Sequence, residues 1–281
     1  MAVNKTAALA SVRSLASDVE EIARNAGEIA LAQFRSLATL PVEQKGNLDL
    51  VTEADRQVEQ FLTASLMKAF PGDGVYGEEG GDIAGSSGRI WVIDPIDGTF
   101  NFVRGGQNWA VSIGLYENRR PVFGVIYAPV RNLMLSGGQG LGTRLNGTPM
   151  MPIAPLDVAK ASTGLSWHPS IGTDARLEAL RFISDELKFN FRFNGSATLS
   201  LIEVAMGETD GYISLGDASW DVMAALPILA NLGVVHTIDW DQTKLDAKLR
   251  FACGSEAFVK KVRPLLDTLG RRTSAVVTAD V

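Results

Sequence analysis

The sequence of 281 residues predicts an α/β or α+β fold. Segments whose apolar residues recur at steps of three and four, the helical period, alternate with short apolar runs bounded by turn residues, which are typical of strands. Both kinds of segment occur in both halves of the chain, without an internal repeat. Hydrophobic residues make up 46% of the chain and charged residues 21%, a balance that supports a large apolar core.

Two helices are predicted near the start of the chain. Residues 7–34 carry apolar side chains at helical spacing, and Thr6 is the predicted N-cap. A second helix is predicted over residues 54–70, where the glycine-rich turn at residues 71–74 ends it. Between the two helices, KGNLDLVTEAD (residues 45–55) alternates polar and apolar residues over a length that fits either a strand or a loop.

The central part of the chain has the character of a sheet. Strands are predicted over the apolar runs at residues 90–93, 110–116 and 122–127. GGDIAGSSG (residues 80–88) is rich in Gly and Ser, which predicts a mobile loop. Three prolines between residues 149 and 155 indicate a joint, so we expect lobes of residues 1–155 and 156–281 within one compact unit.

The second lobe continues the alternation of helices and strands. Its pattern predicts helices over residues 174–187 and 196–206, a short strand over residues 211–215, and a helix over residues 221–232. Pro227 lies within the last helix, where it fits a first turn or produces a kink.

Composition restricts the class of partner and the compartment. The net charge is -6 and no long run of Lys or Arg occurs, which argues against nucleic acid or an anionic membrane as the main partner. Cys253 is the single cysteine, so an intrachain disulfide is impossible and a reducing compartment is expected. No secretory signal or long apolar run is found, and we therefore expect a cytoplasmic protein.

Two carboxylates stand out in WVIDPIDGTFNF (residues 91–102). Asp94 follows a predicted buried strand, where sites in α/β folds gather, and Asp97 opens a turn whose free N–H groups can hold a phosphate oxygen. With only two histidines, zinc is implausible, so any metal is expected to have oxygen ligands, as magnesium, manganese and calcium do. Taken alone, the pair is equally compatible with two turn dipeptides.

Other acidic residues add to this pair. Asp49 lies in DLVTEAD, Glu78-Glu79 follows a glycine, and Asp221 follows Trp220. Each of them alone is typical of a surface charge or a helix cap. Taken together and in this order along the chain, these acidic residues, DPIDGT at residues 94–99 and NGSA at residues 194–197 form a pattern. The pattern resembles that of the inositol monophosphatase family of metal-dependent, lithium-sensitive phosphatases.

The resemblance implies a layered α-β-α-β-α sandwich, assembled as a homodimer, and a cofactor of two to three Mg²⁺ ions, with Mn²⁺ as a possible substitute. The first ion is expected at Glu78, Asp94 and the carbonyl of Ile96. The second is expected at Asp94, Asp97 and Asp221, and a third, weaker one at Glu78. The first lobe then carries most of the metal ligands, and the second supplies Asp221 and substrate contacts.

The resemblance also implies the roles of further residues. Glu78 and Thr99 orient a metal-activated water, and Asp49 accepts a hydrogen bond from the Thr99 hydroxyl. In family members that prefer inositol, an acidic residue that binds sugar hydroxyls stands at the position of Ser214. The implied substrate contacts are Asp97, Gly98, Thr99, Gly195, Ser196, Ala197 and Ser214.

The implied function is Mg²⁺-dependent hydrolysis of a small phosphorylated polyol, with inositol monophosphate as the leading substrate. Histidinol phosphate, fructose 1,6-bisphosphate and nucleotide 3′-phosphates are alternatives, because related enzymes share the metal site. A different class of function is also open, since some bacterial relatives act as regulatory partners of the transcription machinery.

Overall fold

The computed structural model describes residues 2–37, 42–46 and 49–277, which form two large sheets and a small hairpin with helices on the faces of the large sheets. The small hairpin pairs β1 (Val42–Gly46) with β2 (Asp49–Thr52), which settles the strand-or-loop alternative for this segment in favour of strands. Within the described part of the chain, no helix has the length and apolar character that a membrane crossing requires.

Two helices precede the first large sheet. Helix α1 (Ala2–Phe34) begins earlier than predicted, so Thr6 lies inside the helix and is not its cap. Helix α2 (Glu53–Ala69) begins after Thr52, whose hydroxyl accepts the N–H of Ala54 at 3.1 Å. Asp55 in turn accepts the N–H of Thr52 at 2.7 Å, which completes a capping box and fixes the start of α2.

The first large sheet has eight strands in the order β10-β9-β8-β7-β6-β5-β3-β4. Its strands are β3 (Gly74–Gly77), β4 (Gly81–Ile83), β5 (Arg89–Asp97), β6 (Ala110–Glu117), β7 (Arg120–Ala128), β8 (Leu133–Gly138), β9 (Gly142–Leu145) and β10 (Thr148–Pro149). The predicted loop over residues 80–88 is wrong for its first part, because β4 pairs with β3 as an antiparallel edge strand.

The second large sheet has five strands in the order β12-β11-β13-β15-β14. They are β11 (Ser162–Trp167), β12 (Asn190–Arg192), β13 (Gly211–Asp217), β14 (Val235–His236) and β15 (Leu249–Gly254). Strand β13 lies at the centre of this sheet and is buried along its whole length.

The remaining helices are α3 (Thr99–Val103), α4 (Thr173–Arg181), α5 (Ala197–Met206), α6 (Ser219–Val222), α7 (Ala225–Ala230) and α8 (Glu256–Val277). The predicted helix over residues 174–187 ends as an α-helix at Arg181 and continues as a π-helical turn (Phe182–Leu187). The predicted helix over residues 221–232 is two short helices. Pro227 lies in the first turn of α7, where its missing N–H leaves no hydrogen bond unmade.

In the part of the chain that the structure describes, three apolar cores separate five layers. Helices α1 and α2 pack on the outer face of the eight-stranded sheet. Helices α5, α6 and α7 fill the space between the two sheets, and α4 and α8 cover the far face of the five-stranded sheet. This confirms the predicted layered α-β-α-β-α sandwich.

Two glycines let the backbone of the central helical segment pack directly against the backbone of the eight-stranded sheet. A Cβ atom added to Gly114 of β6 would lie 2.7 Å from the backbone N of Ala224. One added to Gly124 of β7 would come closer still to the same residue. Because Ala224 joins α6 to α7, this contact fixes the depth at which α6 and its Asp221 lie over the sheet.

Candidate active site

Asp94 and Asp97 both lie in the last part of β5. Residues three apart in a regular strand point to opposite faces. The pairing of β5 with β6 has an irregularity between these two residues: Asp94 pairs with Ser112 and Asp97 with Ala110, so β5 contains one extra residue. The extra residue brings both carboxylates into one cluster.

Asp221 of α6 completes the cluster from the other side. One carboxylate oxygen from each of Asp94, Asp97 and Asp221 lies within 4.8 Å of the other two. Burial, followed by the charges of Glu78 and Asp97, raises the pKa of Asp94 well above its ordinary value. Burial and the charge of Asp217 do the same for Asp221. The cluster therefore holds strongly repelling carboxylates, of which those of Asp94 and Asp97 are buried and that of Asp221 is half-buried.

Glu78 stands at the edge of this cluster. It follows β3, which runs parallel to β5, so the carboxyl ends of both strands meet at the same edge of the sheet. Its charge contributes to the raised pKa of both Asp94 and Asp221. The turn that carries it is held by Glu59 of α2, whose buried carboxylate accepts the N–H of Glu79 at 2.8 Å and also that of Gly80.

Thr99 lies between the cluster and α2. Its hydroxyl contacts the carbonyl of Ile96 at 3.0 Å and Oδ1 of Asp55 at 3.3 Å. The hydrogen bond expected between Thr99 and Asp49 stays a prediction, because the side chain of Asp49 lies outside the described part of the chain; the described partner of this hydroxyl on the α2 side is Asp55. In the sequence, Asp55 stands three residues after Thr52. That spacing predicts a capping box, so it gave no indication of a catalytic role for Asp55.

Gly98 turns the chain from β5 into α3 with a φ of 93°, which glycine adopts without strain. A Cβ atom at this position would lie 2.6 Å from the carbonyl oxygen of Asn108. Asn101, which the sequence did not single out, ties this turn to the segment that precedes α5. Its side-chain amide donates to the carbonyls of Asn108, Asn194 and Gly195 at 2.8, 2.9 and 3.1 Å.

The start of α5 is directed at Asp97. Ser196 donates to Asp97 at 2.5 Å, and the N–H groups of Ala197 and Thr198 donate at 3.3 and 2.7 Å. Burial raises the pKa of Asp97, while these hydrogen bonds oppose the increase. Ser196 and Ala197, expected to contact substrate, thus hold a metal-site carboxylate, although both also line the adjoining cavity together with Gly195.

The cavity has a volume of about 370 Å³, and Asp97, Asp217 and Asp221 form its acidic wall. Ser214 does not line it. Its side chain is fully buried, where the hydroxyl accepts the N–H of Asp217 at 3.1 Å and contacts the carbonyl of Leu249 at 3.3 Å. The structure therefore places Ser214 behind the wall and puts Asp217, which the sequence did not indicate, at its surface.

The residues present fit a divalent cation. The donors are carboxylate oxygens and the nearby carbonyl of Ile96, which are hard ligands of the kind that magnesium prefers. Among the ion pairs of the described residues, none joins Asp94, Asp97 or Asp221 to a basic side chain. A bound cation is what neutralises such a cluster.

Solved structures with the same architecture include the extragenic suppressor protein SuhB of Bartonella henselae. It has a TM-score of 0.83 and 28% identity, and the match covers 90% of this chain and 98% of that one. The IMPase of Thermotoga maritima has a TM-score of 0.76 and 26% identity, with 90% and 97% covered. The shared fold and the carboxylate cluster define a metal-dependent phosphatase.

The sequence pattern of the Inositol monophosphatase family matches residues 11–267, and this chain belongs to that family. The inositol-1-monophosphatase of Bacillus subtilis is 34% identical over 229 residues, which are 79% of this chain and 85% of the relative. Nus factor SuhB of Xylella fastidiosa is 35% identical over 213 residues, which are 75% and 77% of the two chains. The resemblance found in the sequence motifs is confirmed.

Proposed function

We propose that this phosphatase is a Mg²⁺-dependent phosphomonoesterase that hydrolyses a small hydroxylated phosphate ester, with inositol monophosphate as the leading substrate. The observation that carries the proposal is the cluster of Asp94, Asp97 and Asp221, with ligand oxygens within 4.8 Å of one another beside the Gly98-Thr99 turn. Its similarity to an inositol-1-monophosphatase supports the choice of substrate.

Bound Mg²⁺ supplies the positive charge that offsets the phosphate and lowers the pKa of the attacking water. Glu78, Asp94 and the carbonyl of Ile96 hold one ion in this proposal, and Asp94, Asp97 and Asp221 hold a second. Glu78 would also hold a third, weaker ion. Mn²⁺, which accepts the same hard oxygen ligands, is the expected substitute.

The protein groups orient and deprotonate the water. Glu78 and the hydroxyl of Thr99 position it, and Asp55, within hydrogen-bonding reach of that hydroxyl, takes the role first expected of Asp49. Burial, the largest effect, raises the pKa of Asp55, which makes its carboxylate a better proton acceptor. In this proposal the backbone N–H groups of Gly98 and Thr99 bind phosphate oxygens.

Phosphate release tests this proposal. We expect the protein to hydrolyse inositol 1-phosphate in proportion to bound Mg²⁺, with histidinol phosphate, fructose 1,6-bisphosphate and 3′-AMP as comparison substrates. Lithium should inhibit, because a monovalent ion at a metal position carries half the charge of Mg²⁺. Release that a chelator does not abolish would contradict the metal-dependent mechanism.

We further propose a cytoplasmic homodimer, as the resemblance to the family implies, and sedimentation velocity of the purified protein measures the assembly.

A second function is favoured by the relatives named Nus factor SuhB, which suggest a role in the transcription machinery. Binding of an Asp97→Asn variant to purified RNA polymerase would support a role that is independent of catalysis. Absence of binding by both the variant and the natural chain would contradict this second function.

A further inference from the structure

Asp217 occupies a distinctive position at the end of β13. Its side chain lies in the acidic wall of the cavity beside Asp97 and Asp221, and its charge raises the pKa of Asp221. It is not part of the three-carboxylate cluster. A carboxylate that faces the substrate cavity without joining the cluster is available for a different partner.

The carboxylate of Asp217 is held in one orientation by neutral groups. Ser166 of the neighbouring strand β11 donates to Oδ1 at 2.6 Å, and the hydroxyl of Tyr212 donates to Oδ2 at 2.7 Å. An ionised carboxylate has about four acceptor positions, so each oxygen keeps capacity for a further donor.

No basic side chain of the described residues forms an ion pair with Asp217. Arg176 lines the same cavity without pairing with Asp217, and its buried Nε has no hydrogen-bond partner among the described residues. Its guanidinium lies 5.6 Å from the centre of the Trp167 ring and donates to the carbonyl of Pro169 at 2.6 Å. A buried carboxylate held only by hydroxyls gains free energy from any additional donor, and more from a cationic one.

The lining of the cavity also includes three aromatic rings, those of Phe100, Trp167 and Phe193. Phe100 and Phe193 are 47% and 48% exposed, and the ring of Trp167 lies 4.7 Å from that of Phe193. The cavity therefore offers both a carboxylate acceptor and flat apolar surfaces to a bound molecule.

We propose that Asp217 is a specificity-determining residue, whose carboxylate accepts hydrogen bonds from donor groups on the organic part of the phosphate ester. This rests on the proposed phosphatase function. The substrate class is a small phosphate monoester with hydroxyl or ammonium donors on one edge and an apolar face that the aromatic rings contact. Asp217 takes this role because Ser214 is buried behind it.

Three substrates test the role of Asp217. Inositol 1-phosphate carries hydroxyl donors, histidinol phosphate carries an ammonium group and a planar ring, and p-nitrophenyl phosphate carries no donor. In Asp217→Asn, kcat/KM for the substrate that uses Asp217 should fall by about tenfold to a hundredfold, mainly through KM. Turnover of p-nitrophenyl phosphate should stay within a few-fold of the natural chain. A selective loss on inositol 1-phosphate identifies hydroxyl donors, and one on histidinol phosphate identifies an ammonium donor.

A matched control is Asp210→Asn, at the residue immediately before β13, where Asp210 accepts the N–H of Ser162 at 2.8 Å and does not line the cavity. It should leave all three substrates unchanged. Ser166→Ala is a second test that keeps the carboxylate but removes one group that orients it, and it should cause a smaller loss of the same selectivity. Equal losses on all three substrates in both Asp217→Asn and Ser166→Ala would overturn the proposal. Absence of Mg²⁺-dependent release from every substrate by the natural chain would overturn the phosphatase function itself.

Discussion

Asp55 serves two neighbours with its two carboxylate oxygens. Oδ2 accepts the N–H and the hydroxyl of Thr52 at 2.7 and 2.6 Å, and Oδ1 lies 3.3 Å from the hydroxyl of Thr99. The first pair of contacts caps helix α2, and the third reaches the active site. One residue therefore joins the start of a helix to the threonine that we propose positions water.

The Asp55→Asn substitution should lower kcat by about 10²- to 10⁴-fold, the usual range for loss of a general base. The matched change Asp49→Asn should alter kcat only a few-fold. Both variants need kcat measured well below their melting temperatures, since Asp55 also caps α2. A larger loss in Asp49→Asn than in Asp55→Asn would return the role to Asp49.

Single residues were predicted to different extents. The sequence indicated Asp94, Asp97 and Asp221 through their motifs, and the structure gathers them. Asp217 carried no signal, because its role depends on hydroxyls from two strands that meet only in the folded sheet. Ser214 shows the reverse case: its position was singled out, but the side chain is buried behind the wall.

At the scale of elements, helix α2 supports the turn after β3. The buried carboxylate of Glu59 accepts hydrogen bonds from two backbone N–H groups of this turn, those of Glu79 and Gly80. Gly77 and Gly80 leave room for it, since a Cβ atom on Gly77 would lie 2.7 Å from the Glu59 carboxyl carbon. The turn that places Glu78 thus depends on Glu59, which precedes it by nineteen positions in the chain.

The Glu59→Gln substitution should weaken this support, because the amide has one acceptor oxygen and turns an N–H group towards the backbone donors. The Mg²⁺ concentration for half-maximal activity should rise by about tenfold or more, as is usual when a group that orients a metal ligand is changed. Glu53→Gln, a change at an exposed position of the same helix, is the control and should leave the Mg²⁺ requirement unaltered. An unchanged requirement in Glu59→Gln would show that the turn holds without this carboxylate.

Elements were predicted better than their irregularities. The strand over residues 90–93 was expected from its apolar run, but it continues to Asp97 through an extra residue that apolar periodicity does not report. Edge strand β4 was missed because Gly-rich composition is typical of loops, and only pairing with β3 stabilises it. Both misses depend on long-range pairing, which local sequence does not encode.

For the whole molecule, the carboxylate cluster makes stability depend on metal and pH together. The folded pKa values of Asp94, Asp97 and Asp221 are raised, mainly by burial, above the values these groups have when unfolded. Such groups favour the folded state below the unfolded pKa, and this contribution is lost as the pH rises through the folded pKa. Metal-free protein should therefore lose stability from about pH 4 upwards, where unfolded aspartates ionise.

Melting temperatures measured with and without Mg²⁺ across this pH range test the expectation. At neutral pH, Mg²⁺ at a hundredfold excess over its Kd should stabilise the natural chain by about 2.7 kcal/mol. Metal-free Asp94→Asn should melt a few degrees above the metal-free natural chain, as a gain of about 1 kcal/mol would produce, and should lose most of its response to Mg²⁺. At pH values below the unfolded pKa the two metal-free proteins should converge. A metal-free natural chain whose stability is independent of pH would contradict this account.

The glycines at positions 114 and 124 have a consequence for the catalytic cycle. The segment between α6 and α7 packs directly on the backbone of the strands, with no glycine side chain between them. Asp221 therefore cannot move away from β5 without breaking this close backbone contact. We expect the two halves of the site to remain preorganised through turnover, with no opening and closing of the sheets. Substrate and product then exchange through the opening of the cavity. The rate of product release depends on the motion of the aromatic side chains that line it, Phe100, Trp167 and Phe193.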